Sequence, residues 1–232
     1  MICLNVKEIK PDLRKKDYIL DCTILLLIIQ LARVIIKYIL QIPLNMTLEN
    51  INIVSIISML IVGISVSFIL KGNDLYNPAV QRLIKLNNRY NNKNIRLIFG
   101  GISLICICIA PYLKGGYQIS NLIILFLTLI VEPIFEEIIF REYLWNYIES
   151  FEKNENKTLI IITILSSIFK IGYWDIISQN LNVIGSSFFT IDIMLSKIFW
   201  GLIVAFILGI IKIKYKDINL CIFSHSFINI FL

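Results

Sequence analysis

Charge is scarce in this chain: Lys, Arg, Asp and Glu make up 16% of its 232 residues, against 57% that are hydrophobic. That balance excludes an ordinary soluble domain of this length, in which about a quarter of the residues are charged. Histidine is scarcer still, with His225 alone in the chain. The cysteines form no C-x-x-C pair; Cys3, Cys22, Cys106, Cys108 and Cys221 are odd in number and lie mostly within or beside apolar segments, as small buried hydrophobes do. Cys106 and Cys108, two apart on a helix, point in different directions and make a poor thiolate pair. No internal repeat is visible, and no A-x-A site follows the N-terminal apolar run, which reads as an uncleaved signal anchor.

What is present is a series of long apolar stretches. A spanning helix needs about 20 apolar residues, and that ruler places candidate spans at 18–42, 51–71, 97–113, 121–147, 158–177 and 189–211, with a shorter one from 218 to the C-terminus. The expectation is an all-α, polytopic bundle of about seven membrane helices without a soluble domain. Turn residues such as Gly72-Asn73-Asp74 and Lys114-Gly115-Gly116 separate the spans. The chain divides into a basic N-terminus (1–17), N-terminal spans (18–120) with a basic, Asn-rich segment at 72–96 that can hold an interfacial helix, and a C-terminal set of helices (121–232).

The net charge of +6 sits in the connections and fits anionic lipid, not nucleic acid. With the N-terminus in the cytoplasm, sixteen Lys and Arg fall on the cytoplasmic side and only Lys114 on the other, as positive loops require. The protein is therefore expected in the cell membrane, in contact with the bilayer.

Inside the span at 121–147, Glu136, Glu137 and Arg141 interrupt the run Ile-Val-Glu-Pro-Ile-Phe-Glu-Glu-Ile-Ile-Phe-Arg. Ionisable side chains at membrane depth cost roughly 2.5–3.5 kcal/mol each on insertion scales and mark pairs or functional sites. Glu137 and Arg141, spaced i, i+4, share a face and can pair. Glu136 points about 100° away and lines up with Glu132 one turn earlier, which makes it the better candidate for chemistry. Pro133 removes a backbone donor and can kink the helix beside it. His225 and Asn229, also i, i+4, can donate to one point, as an oxyanion hole requires; the plainer reading is a pair of interhelical hydrogen bonds. Arg33 and Lys37 read as lining a helix interface or reaching the headgroups, Asp175 and Asp192 as span-end charges, and Trp145, Tyr147 and Trp174 as interfacial aromatics. One histidine, and no thiolate in either motif, does not provide the three ligands of a catalytic zinc. No metal or other cofactor is expected.

These residues resemble the CAAX protease and bacteriocin-processing family, or Abi group, over about residues 121–232. The E-E-x-x-x-R motif stands complete at Glu136 to Arg141 and the late H-x-x-x-N at His225 to Asn229. The middle F-x-x-x-H motif keeps Phe169 but has Tyr173 where the family has histidine. The resemblance implies an intramembrane glutamic-type endopeptidase acting on membrane-associated peptides or proteins. Glu136 would be the base, His225 and Asn229 the oxyanion donors, and Glu137 and Arg141 their support.

A phenol accepts protons poorly at neutral pH, so Glu136 would activate water alone, at a cost of about a hundredfold to ten-thousandfold. Lys170, three residues before Tyr173, can pair with Glu136, pair with Glu132, or snorkel to an interface; the sequence leaves these open. The rival reading is a catalytically impaired relative that binds a peptide, as a bacteriocin-immunity or regulatory protein. A solute carrier using Glu136 and Lys170 as a relay lacks an inverted repeat.

Overall fold

The computed structural model describes residues 11–72, 93–186 and 189–231; these are helical apart from short connections such as 42–47 and 114–118, with no strand among them. Cys3, Lys7, Lys10 and most of the 72–96 segment lie outside the described residues. Helix α1 spans Pro11–Gln41, α2 Leu48–Gly72 and α3 Lys93–Leu113. A continuous helical run then contains α4 (Ile119–Phe126), α5 (Glu132–Glu137) and α6 (Trp145–Glu152), joined by π-helical segments at Leu127–Val131 and Ile138–Leu144. Helix α7 (Glu155–Phe169) passes through a 3₁₀ turn at Lys170–Tyr173 into α8 (Trp174–Ile184), followed by α9 (Thr190–Tyr215) and α10 (Ile218–Phe231).

Five of these stretches are long and apolar enough to cross a membrane: Tyr18–Gln41, Leu48–Phe68, Asn94–Leu113, Glu155–Ile184 and Thr190–Tyr215. The protein is a multi-pass membrane protein, and its outward faces are correspondingly apolar, with Leu27, Leu31, Leu104 and Phe199 all exposed. Residues 121–147, expected as a span, fold as the π-interrupted helical run and are not among these five stretches. The one expected at 158–177 continues to Ile184 because the 3₁₀ turn tightens the helix without ending it.

Local signals fix the joints. Asn154 caps α7, its side-chain oxygen accepting from the backbone N–H groups of Asn156 and Lys157. Gly185 ends α8 with φ +79°, a left-handed conformation that glycine adopts without penalty. Pro133 sits in the first turn of α5, where its missing N–H costs least. Helices α7 and α9 approach closely at Gly209, where an added Cβ would stand 2.1 Å from Leu159 Cδ1.

Two assignments are corrected. Trp145 is not an interfacial aromatic: it is 1% exposed, packed in the core with Phe140, Leu144 and Ile162, and its indole N–H donates to Glu149 at 3.0 Å. Asp175 is not a span-end charge in contact with solvent. It is buried against Arg33 and Lys37, both fully buried, at 2.6 Å and 2.9 Å. The two cations therefore line a helix interface and do not reach headgroups.

Candidate active site

Successive residues of a helix diverge, and α5 uses this to send its two glutamates to different partners. Glu137 faces α10 and the following turn. Its Oε1 accepts from His225 Nδ1 at 2.9 Å, and its Oε2 stands 3.2 Å from Arg141 Nε as an ion pair without hydrogen-bond alignment. Arg141 also donates from Nη2 to the Ala205 carbonyl of α9 at 3.0 Å. All three charged or titratable groups are buried, so the cluster compensates itself and ties three helices together.

Glu136 points into a cavity of about 510 Å³ lined also by Glu132, Lys170, Lys197, His225 and Asn229. The carboxylate is 1% exposed. Lys170 donates to both of its oxygens, at 2.6 Å and 2.8 Å, and the Tyr173 hydroxyl donates to Oε1 at 2.9 Å. His225 Nε2 lies 3.9 Å from Oε2. Of the three places open to Lys170 in the sequence, the folded chain takes the ion pair with Glu136. Its aliphatic stem crosses α9 at Gly201, where a Cβ would come within 3.1 Å of Lys170 Cγ.

Asn229 lies one turn after His225 on α10 and borders the same cavity. Its amide N–H₂ donates to the backbone carbonyl of Thr128 at 2.9 Å. Thr128 is in the first π segment, where the wider turn disturbs the regular ladder and a carbonyl needs an outside donor. Phe169 packs among Phe135, Phe140 and Tyr173, with ring centroids 6.3, 5.2 and 6.0 Å away. That wedge seats the end of α7 against α5.

Helix α1 braces the site from beside the 3₁₀ turn. Gln30 donates to the Phe169 carbonyl at 3.1 Å and accepts from Arg33 Nε at 2.8 Å. Arg33 in turn binds the Gly172 carbonyl and Asp175, and its guanidinium lies 5.3 Å from the Tyr173 ring centroid. Gly172 makes room for this, since a Cβ there would meet Gln30 at 2.3 Å. The turn that presents Lys170 and Tyr173 to Glu136 is thus held by a helix more than a hundred residues earlier. The only signal for it was two cations at i, i+4 in an apolar helix.

Among the described residues no group of three or more His, Cys, Asp or Glu side chains is arranged to hold a metal ion. The arrangement that remains is a buried carboxylate that borders the same cavity as an imidazole and an amide. The model of one family, Type II CAAX prenyl endopeptidase Rce1-like, matches residues 118–231. No curated protein and no solved structure matches the chain.

Proposed function

Because residues 118–231 belong to the Rce1-like family and form a CAAX-type intramembrane protease fold, we propose that the chain is a glutamic-type endopeptidase that hydrolyses peptide bonds of membrane-associated substrates. The observation that carries this reading is that Glu136, His225 and Asn229 border one cavity, with His225 Nε2 3.9 Å from Glu136 Oε2. Glu136 takes a proton from water as the hydroxyl adds to the scissile carbonyl, and returns it to the leaving nitrogen when the tetrahedral intermediate collapses. The oxyanion is met by the amide of Asn229 and by His225 through Nε2, with Glu137 fixing the ring through Nδ1.

Lys170 bridges both Glu136 oxygens and stands where a water must come to be deprotonated. In the productive complex it withdraws along the cavity wall. Tyr173 occupies the position of the family's histidine and serves as a hydrogen-bond donor that keeps the carboxylate oriented. Helix α1 holds both residues in place through Gln30 and Arg33.

The test is a mass-spectrometric comparison of protein termini in cells carrying the wild-type chain, Glu136→Ala, or no copy. New termini dependent on the wild-type chain support hydrolysis and identify the substrate. Identical termini in all three contradict it.

A further inference from the structure

The cavity holds a second carboxylate that the proposed mechanism does not use. Glu132 lies one turn before Glu136 on the same face and is 5% exposed. Its side chain borders the cavity. Among the described residues no hydrogen bond and no ion pair reaches it. Lys170 is committed to Glu136, and Arg141 to Glu137 and Ala205. Lys197 borders the same cavity but forms no ion pair with Glu132 and stands 6.0 Å from the Tyr173 ring centroid.

A carboxylate at membrane depth without a counter-charge is unfavourable unless something supplies the charge. The geometry points to Glu132 as a binding residue for a cationic group of the peptide that enters the cavity, a lysine or arginine side chain or a free amino group near the scissile bond. The inference rests on the protease reading for its ligand class, a peptide. A site built around a charged hydrogen-bonding partner rejects an isostere that lacks it much more strongly than an apolar pocket rejects a methylene. Glu132 would therefore set specificity, while Glu136 performs the chemistry.

The test uses the full chain carrying Glu136→Gln, reconstituted in lipid nanodiscs, and two apolar peptides identical except for a central lysine in one and norleucine in the other. The lysine peptide is expected to bind at least about tenfold more tightly, as a charged hydrogen bond warrants. Adding Glu132→Gln should erase that difference and leave the norleucine peptide's affinity unchanged. Equal binding of the two peptides before Glu132 is altered overturns the proposal without any need for the second variant to fold. The protein termini separate this from the protease reading. Lysine-selective binding with no wild-type-dependent termini keeps the cationic subsite and removes the hydrolase. Wild-type-dependent termini with no basic residue near the cut, together with equal binding, keep the hydrolase and remove the subsite.

Discussion

The Lys170 ammonium bridges the two carboxylate oxygens of Glu136 at 2.6 Å and 2.8 Å, and Gly201 provides the space its stem crosses to get there. An ammonium in that position restrains the group assigned as the base. Lys170→Met, which keeps the stem and removes the charge, is expected to raise the cleavage rate about tenfold, part of the range a general base commands. Gly201→Ala displaces the stem and should raise it in the same direction by less. A lower rate in Lys170→Met, measured on a peptide spanning an identified cleavage site, contradicts the restraint.

Tyr173 donates to Glu136 Oε1, and a histidine there could also accept a proton. Tyr173→His is expected to raise turnover about a hundredfold, the lower end of what a second acid–base partner contributes. Tyr173→Phe, which keeps the ring against Phe169 and loses the donor, should reduce it. An unchanged rate in Tyr173→His means that more than the imbalance at this position limits the site.

Asp175 is a single buried carboxylate between two buried cations, Arg33 and Lys37. Asp175→Asn leaves both uncompensated and is expected to cost about 3–5 kcal/mol, whereas Lys37→Met leaves one balanced pair and should be neutral or stabilising. Thermal unfolding in detergent micelles checks the order. Lys37→Met falling as far as Asp175→Asn would contradict it.

Gly209 and Gly101 are both helical glycines with opposite surroundings. A Cβ at Gly209 collides with Leu159, while one at Gly101 meets nothing within 4 Å. Gly209→Ala should destabilise by about 1–3 kcal/mol through overpacking. Gly101→Ala should be neutral or stabilising by up to about 1 kcal/mol, since alanine favours the helix. The same unfolding measurement compares them.

How much of this was legible in the sequence follows from the range of each signal. The divergence of Glu136 from Glu137, the alignment of Glu136 with Glu132, and the Glu137–Arg141 pair are set by helical rotation alone, and the folded chain has all three. The partner of Lys170 depended on how α5 and α7 meet, which one helix cannot specify. The π segments were equally hidden, because a widened turn is stabilised from outside, here by Asn229 on Thr128. The α1 brace joins residues more than a hundred positions apart, beyond any periodicity. Trp145 was misplaced because the interfacial preference of tryptophan is compositional, whereas its burial comes from tertiary packing in the core cluster that also holds Phe140 and Ile162.

The central claim is that Glu136 activates the water that cleaves the peptide. Its most direct test is turnover by purified, liposome-reconstituted Glu136→Gln beside wild type, on a peptide spanning a wild-type-dependent cleavage site. The variant preserves the shape of the side chain and removes its basicity. The account predicts a loss of at least about a hundredfold with unfolding temperature within a few degrees of wild type. Turnover within about threefold of wild type, well below what loss of a general base costs, would contradict it.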